Sequence, residues 1–200
     1  TGGAGQNPAR QALIKSGIPI EKPAYLVNQV CGSGIRSVAS GFQSIRSGDS
    51  QIIIAGGQEN MSLAPHAIHL RDGKKLGDIE LTDTMIKDGL WDVFNGYHMG
   101  VTAENVATKF QVTREQQDEF ALSSQEKALK AQKENKFKEE IINLKIKSKK
   151  TEVDFNKDEH PREGIDLEIL KKLKPVFKKD GTVTAGNASG INDGAAAVTL

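Results

Sequence analysis

Cys31 is the only cysteine among the 200 residues, and it lies where a protein can activate a thiol. It stands in the run Val30-Cys31-Gly32-Ser33-Gly34, between an apolar stretch that predicts a strand and a small-residue stretch that predicts a helix. The unpaired N–H groups at a helix N-terminus stabilise anions, so they favour the reactive thiolate. The glycines leave room for a substrate, and the backbone N–H of Cys31 can polarise the carbonyl that sulfur attacks. The alternative is a small buried apolar residue without chemistry, which local sequence alone favours.

Two strands and a helix must position this residue. The apolar run Ala24–Val30 predicts a strand that leads into Cys31, and the segment after it predicts a helix that stops near Gly48. That helix carries one apolar face and one face of small residues, so it can be packed on both sides. Gln51–Ala55 predicts a short buried strand. The order of strand, helix and strand predicts an α/β layer with a parallel sheet.

Residues with known positional preferences mark three other helices. Asn7-Pro8 predicts the start of a first helix that ends before Gly17, because Asn caps helices, Pro suits the first position and Gly follows the last. A second helix is predicted over Thr102–Phe110. Thr113-Arg114-Glu115-Gln116 fits a capping box and predicts the start of a longer helix towards Lys136.

Composition narrows the functional class. Hydrophobic residues make up 37% and charged residues 26% of the chain, as in ordinary globular proteins. A formal net charge of +1 argues against general binding to nucleic acid, and no apolar run is long enough to cross a membrane. A single cysteine excludes a disulfide framework and suits a reducing compartment, so a cytoplasmic location is predicted.

Three other motifs fit their patterns poorly. Gly32-Ser33-Gly34-Ile35-Arg36-Ser37 is close to a dinucleotide-binding fingerprint, the mark of a nucleotide-binding oxidoreductase, but it ends in serine instead of glycine, and no acidic residue ends the next strand. A serine-hydrolase elbow needs glycine where Cys31 stands. His66 and His69 have metal-ligand spacing, yet no cysteine or carboxylate cluster completes a site. No metal is therefore predicted.

Four collinear segments resemble thiolases, and the closest resemblance is to the biosynthetic, acetoacetyl-CoA subgroup. The likeness runs from Gly5 to the last residue. The segments are Asn28-Gln29-Val30-Cys31-Gly32-Ser33-Gly34, Ala55-Gly56-Gly57-Gln58-Glu59-Asn60-Met61-Ser62, Gly96-Tyr97-His98-Met99-Gly100 and Thr184-Ala185-Gly186-Asn187-Ala188-Ser189-Gly190-Ile191-Asn192-Asp193-Gly194.

The resemblance implies an acyltransferase that catalyses reversible Claisen condensation of two acetyl-CoA to acetoacetyl-CoA and CoA. It makes Cys31 the nucleophile that carries the acetyl group as a thioester. Coenzyme A thioesters are then substrates, and no cofactor is expected. The alternatives are a degradative 3-ketoacyl-CoA thiolase of broader chain length and a non-catalytic, thiolase-like CoA-binding chain.

The resemblance also implies a set of substrate-binding residues. Met99 suits the wall of a small acyl pocket, and Arg162 offers a planar cation for adenine or phosphate, although Glu163 competes for it in an ion pair. Ile169 stands where the family pattern has a small polar residue. The predicted CoA-binding residues are Leu90, His98, Met99, Arg162, Phe177, Ala185 and Ser189.

The implied fold is the layered α-β-α-β-α thiolase architecture, with only part of its N-terminal half and the loop domain present. Residues 1–60 are expected in the N-terminal α/β domain, 61–191 in a loop domain that covers CoA, and 192–200 in a return strand. The second cysteine and the Gly-His-Pro segment of the family do not occur in this chain. We therefore expect an internal piece of a longer homodimeric or homotetrameric enzyme, inactive alone.

Overall fold

The computed structural model describes residues 2–147 and 151–200. The chain divides into two compact units, one comprising Thr1–Trp91 with Ile191–Leu200 and the other Asp92–Gly190. The functional division predicted at residue 61 stays a prediction.

The helices of the described residues are α1 (Pro8–Lys15), α2 (Ser33–Ser47), α3 (Met99–Phe110), α4 (Arg114–Lys133), α5 (Leu167–Lys171) and a π-helix (Ile86–Leu90). The strands are β1 (Ile54–Asn60), β2 (His66–Ala67), β3 (Thr82–Asp83), β4 (Trp91–Asp92), β5 (Tyr97–His98), β6 (Leu144–Lys147), β7 (Glu152–Phe155) and β8 (Asp193–Thr199).

In the first unit, α2 lies against β1 through its small residues. The hydroxyl of Ser37 donates to the carbonyl of Gly56 at 2.8 Å. A Cβ atom built on Gly57 would lie 3.6 Å from the Cα of Gly34, so helix and strand approach closely where the helix begins. The opposite face remains open, with Ile35 and Phe42 exposed. The contacts of the small face therefore fix the helix that begins beside Cys31.

Strand β1 pairs with β8 in antiparallel register, from Ile54 opposite Thr199 to Asn60 opposite Asp193. Gly56 is required by this pairing, because an added Cβ would lie 2.3 Å from a carbonyl oxygen of the facing strand. The carboxylate of Asp193 accepts a hydrogen bond from the backbone N–H of Ser62 at 3.0 Å and ties the start of β8 to the chain leaving β1. Strands β1 and β8, which lie far apart in the sequence, thereby form one two-stranded antiparallel sheet.

Two strand predictions were wrong in detail. Ala24–Val30 forms no ladder, and the only pairing near it is an isolated bridge between Gln29 and Cys31. A strand needs a hydrogen-bonded neighbour, and none of the described residues provides one. The strand predicted over Gln51–Ala55 begins at Ile54 and continues through both glycines, because β8 lies alongside it. The sheets of the described residues are two-stranded, with antiparallel registers in β1–β8, β2–β3 and β6–β7, so the predicted parallel sheet was also wrong here.

Most helix boundaries were predicted correctly, but the helix predicted over Thr102–Phe110 begins at Met99. The side chain of Asn7 accepts from the N–H of Arg10, Pro8 opens α1, and Gly17 lies just past its end with φ 84°. Helix α2 ends at a left-handed Gly48. The N-terminal capping box of α4 is formed, although that helix ends at Lys133 and not at Lys136. Side chain to backbone hydrogen bonds decide the starts of α1 and α4, and a left-handed glycine closes the end of α2.

In the second unit, α3, α4 and α5 enclose a small core. Leu170, Ala107 and Val183 are buried there together with the polar side chains of Glu104 and Asp118. No helix within the described ranges combines the length and apolar character needed to cross a membrane.

Candidate functional site

A strained turn presents Cys31. Val30 has φ 50°, a left-handed conformation that is costly for a β-branched residue by about 1–3 kcal/mol. Asn28 accepts from the N–H of Val30 at 3.0 Å, while the Ser33 hydroxyl accepts from the N–H of Gln29 at 2.8 Å and donates to the Val30 carbonyl at 2.7 Å. These three hydrogen bonds hold the turn in its strained form.

The Cys31 thiol is exposed at the start of α2. The N-cap residue of that helix is Gly32, which has no side chain to cap the first turn, and the first turn holds no acidic residue. The N–H groups of Gly32 and Ser33 donate to the carbonyls of Gln29 at 3.0 Å and Val30 at 3.1 Å, so they are used within the turn. What remains to favour negative charge beside the thiol is the positive end of the α2 dipole, which can stabilise a thiolate.

In the second unit, two of the predicted ligand residues are in contact. The His98 ring stacks on the Phe177 ring with a centroid distance of 4.7 Å and an interplanar angle of 18°. His98 caps α3, where its Nδ1 accepts from the N–H of Gly100 at 3.0 Å. A neutral His98 ring therefore carries its proton on Nε2, the nitrogen left free to donate to a substrate.

Gly100 makes this stack possible, and replacing it with alanine tests the packing. A Cβ at that position would lie 2.3 Å from the Phe177 ring, which would have to move. We expect Gly100→Ala to lower the free energy of unfolding by about 1–3 kcal/mol through overpacking, despite the higher helix propensity of alanine. Urea unfolding measures the change. Gly89→Ala, whose added Cβ meets open space, is the control, and equal effects of the two changes would contradict the prediction.

Met99 lies beside an apolar groove along α3. It is 45% exposed, and it lines the groove with Thr102, Ala103 and Val106. A flexible thioether in such a wall suits a small apolar group.

The other predicted ligand residues make fewer contacts. Leu90 ends the π-helix of the first unit and is half-buried. In the second unit Arg162, Ala185 and Ser189 are exposed, and the guanidinium of Arg162 is not paired with Glu163 within the part of the chain that the structure describes. These positions are open to a ligand, but their role stays a prediction.

A buried carboxylate without any signal in the sequence holds the segment 176–189, hereafter the ligand segment. Glu104 on α3 is 3% exposed. Its Oε1 accepts from the N–H groups of Thr182 and Val183, each at 2.8 Å, and its Oε2 accepts from the Thr182 hydroxyl at 3.0 Å. An isolated glutamate on a helix gives no sign of this role, because most such residues face water.

A second carboxylate anchors the same segment. Asp118 on α4 pairs with Arg114 at 2.8 Å and accepts from the side-chain amide of Asn187 at 2.9 Å. Asn187 in turn accepts from the N–H of Thr184 at 2.8 Å. Arg114 also donates to the carbonyls of Leu170 and Leu173, so one network joins α4, the end of α5 and the ligand segment. The thiolase motif pointed to Asn187 but not to its partners.

The Glu104 contacts predict an acid-sensitive stability. Burial raises the pKa of this carboxyl, but hydrogen bonds from Val183 and Thr182 and the charge of Lys178 outweigh it, so the pKa is lowered. A carboxyl whose pKa is lower in the folded protein stabilises the fold at pH values above its pKa in the unfolded chain, which is about 4.3. This stabilisation is lost as the pH falls through the pKa of the carboxyl in the folded protein. We expect the difference in unfolding free energy between wild type and Glu104→Gln to be largest near neutral pH and to shrink below about pH 4. Urea unfolding across pH measures it, and a constant difference would contradict the prediction.

Within residues 2–147 and 151–200, no group of three His, Cys, Asp or Glu side chains is arranged to hold a metal ion. His66 instead lies 4.0 Å from Asp83, on the neighbouring strand of its two-stranded sheet.

Known proteins match the chain throughout. The family model described as "Thiolase, N-terminal domain" matches residues 1–200. Acetyl-CoA acetyltransferase of Rhizobium meliloti is 60% identical over 198 residues, which are 99% of this chain and 50% of that protein. The crystal structure of Bacillus anthracis acetyl-CoA acetyltransferase has a TM-score of 0.92 at 43% identity, covering 97% of this chain and 49% of that one. Human mitochondrial 3-ketoacyl-CoA thiolase has a TM-score of 0.91 at 44% identity, covering 96% and 49%. The chain thus spans about half the length of these relatives.

Proposed function

Because the chain belongs to the thiolase family, whose N-terminal domain it matches throughout, we propose that the protein is an acetyl-CoA acetyltransferase. It joins two acetyl-CoA molecules into acetoacetyl-CoA and CoA, and the reaction is reversible. The observation that carries this proposal is the exposed Cys31 on a strained turn at a helix start without a side-chain cap. The likeness to acetyl-CoA acetyltransferases supports the choice of substrate.

In the first half-reaction the Cys31 thiolate attacks the carbonyl carbon of acetyl-CoA. A sulfur–carbon bond forms, the bond from that carbon to the CoA sulfur breaks, and CoA leaves as a thiolate that takes up a proton. The positive end of the α2 dipole helps to stabilise the oxyanion between these events. The product is acetyl-Cys31.

In the second half-reaction another acetyl-CoA loses an α-proton to a base. The resulting enolate carbon attacks the acetyl carbonyl, a carbon–carbon bond forms, and the Cys31 thiolate is released with acetoacetyl-CoA. The family resemblance assigns the base to a second cysteine, and these 200 residues contain only one. Residues outside this chain are therefore proposed to complete the second step.

The ligand residues of the second unit are proposed to bind the CoA thioester. His98 offers an Nε2 donor steadied by Phe177, and Met99 offers an apolar wall. Arg162 has a free guanidinium for phosphate or adenine among the described residues, and Ser189 has an exposed hydroxyl for the pantetheine amides. Ala185, together with Leu90 of the first unit, completes the set that the family resemblance implies. Ile169 is 44% exposed and offers no polar contact where the family pattern has one.

The finer architecture and assembly are proposals as well. The layered α-β-α-β-α arrangement, the CoA-covering role of residues 61–191 and a homodimeric or homotetrameric state follow from the family. A cytoplasmic location rests on the single cysteine. Light scattering on the protein as its gene encodes it tests the assembly, and a monomer would contradict it.

A degradative 3-ketoacyl-CoA thiolase of broader chain length is the second candidate. The likeness to the human mitochondrial 3-ketoacyl-CoA thiolase favours it, as does the open apolar groove beside Met99. Comparing cleavage of acetoacetyl-CoA with cleavage of 3-ketooctanoyl-CoA separates the two. Faster cleavage of the longer substrate would favour the second candidate.

The proposed function is tested by trapping the acyl-enzyme. The protein as its gene encodes it is incubated with acetyl-CoA, quenched in acid and weighed intact by mass spectrometry. We expect one added acetyl group, located at Cys31 by peptide mapping. A folded protein without the adduct would contradict the proposal and favour a non-catalytic CoA-binding chain.

A further inference from the structure

Glu104 lies on the same helix as two proposed substrate residues. Helix α3 begins at Met99, with His98 as its cap, and carries Glu104 further along. Although the carboxylate is charged, the residue is only 3% exposed. A buried charge is costly unless hydrogen bonds compensate it, and here the donors all belong to the ligand segment.

The donors come from one turn of the backbone. Thr182 donates its N–H to both carboxylate oxygens, at 2.8 Å and 2.9 Å, and its hydroxyl to Oε2 at 3.0 Å. Val183 adds its N–H at 2.8 Å, and its carbonyl accepts from Val176 at 3.0 Å. An added Cβ on Gly181 would lie 2.3 Å from Oε1, so the turn closes directly onto the carboxylate.

These contacts fix the ligand segment on both sides of the Glu104 anchor. On one side lies Phe177, whose ring stacks on His98 at the start of the same helix. On the other side lies Ala185, between Val183, held by Glu104, and Asn187, held by Asp118. Ala185 is two residues from Val183, and Phe177 is next to Val176, whose N–H donates to the Val183 carbonyl.

We propose that Glu104 is a positioning residue, whose carboxylate sets the register of the ligand segment against α3 and so aligns Phe177 and Ala185 with His98 and Met99 for CoA thioester binding. The inference rests on the proposed function, since the aligned residues are those assigned to the substrate. Glu104 acts through the backbone of Thr182 and Val183.

The carboxylate suits this role because all of its contacts come from groups that donate to it. An amide in its place keeps the shape but turns an NH₂ group towards the N–H of Thr182, and the Thr182 hydroxyl must reverse its hydrogen bond to accept from that group. The turn must then shift to relieve the opposed donors. Small displacements of substrate-positioning groups are enough to weaken binding of substrate.

The test compares Glu104→Gln with Glu119→Gln in the protein as its gene encodes it. Glu119 is an exposed carboxylate on the adjacent helix α4 and serves as the matched control. We expect Glu104→Gln to raise the KM for acetyl-CoA about 10-fold and to change kcat by less than about 3-fold. Alkylation of Cys31 by iodoacetamide should keep its wild-type rate, because that reaction needs no CoA site. Glu119→Gln should leave all three values unchanged.

The outcomes separate the inference from the proposed function. Wild-type protein that is folded but neither acetylated nor active would refute the proposed function, and the inference with it. An active wild type with an unchanged KM in folded Glu104→Gln would refute the inference alone. A fall in kcat as large as the rise in KM, with slowed alkylation, would refute it too, because general damage would then explain the effect.

If Glu104→Gln fails to fold, Thr182→Val tests the positioning role of Glu104 in its place. Valine keeps the backbone N–H bonds to Glu104 and removes the hydroxyl, which donates to Glu104 at 3.0 Å and accepts from the side-chain amide of Gln117 at 2.9 Å. We expect a KM increase of about 2- to 3-fold with kcat unchanged, in keeping with the loss of two hydrogen bonds that help hold the turn. An unchanged KM in this variant would overturn the proposal.

Discussion

Replacing Cys31 with serine is expected to reduce acetoacetyl-CoA formation by the protein as its gene encodes it at least about 10³-fold. A serine hydroxyl stays protonated near neutral pH and is a far weaker nucleophile than a thiolate, although the strained turn and the helix start are unchanged. The rate of acetoacetyl-CoA formation from acetyl-CoA measures the effect. The acetyl adduct seen by intact mass should disappear at the same time.

The control is Ser47→Ala on the same helix. Ser47 ends α2, at the opposite end from Cys31, and its hydroxyl bonds only Ser44 and Asp49. Ser47→Ala should leave the rate of acetoacetyl-CoA formation unchanged. Turnover of Cys31→Ser within about 10-fold of wild type, in folded protein, would show that the acetyl group does not pass through this residue.

Local sequence signals predicted the helices that position the site. The Asn7 cap, the Thr113 capping box and the end of α2 at Gly48 all involve residues within a few positions of each other, so their chemistry is visible in the sequence. The strands were harder to predict, because a strand exists only where a partner lies alongside it. Ile54–Asn60 gained β8 as its partner, whereas Ala24–Val30 has none among the described residues.

The family resemblance indicated candidate residues for the chemistry, and their roles stay predictions, whereas no local pattern indicated the residues that hold them in place. Cys31 and His98 lie in the thiolase segments and Phe177 was assigned by the family resemblance, and the structure brings the rings of His98 and Phe177 into contact. Glu104 and Asp118 were missed because each reaches partners far along the chain, at Thr182 and Asn187. Acidic residues on helices usually face water, so burial by tertiary packing is what gives these two their roles.

Asp118 is expected to matter more for stability than any exposed charged residue of the chain. Its side chain is 2% exposed and that of its partner Arg114 is 20% exposed, so removing the carboxylate leaves a partly buried guanidinium without its counter-charge. Breaking a buried pair in this way costs about 3–5 kcal/mol. Asp118→Ala should therefore lower the free energy of unfolding by about that amount, measured by urea unfolding at neutral pH.

The exposed pair between Lys171 and Glu168 provides the matched control for Asp118→Ala. Its side chains are 55% and 73% exposed, and Glu168→Ala should change stability by less than about 1 kcal/mol because water screens the pair. Asp118→Ala also removes the acceptor of the Asn187 amide, which holds Thr184 beside Ala185. Its destabilisation should thus come with a higher KM for acetyl-CoA, whereas Glu168→Ala should leave KM unchanged. If Asp118→Ala and Glu168→Ala lowered the free energy of unfolding equally, the claim that the buried Asp118 network anchors the ligand segment would be contradicted.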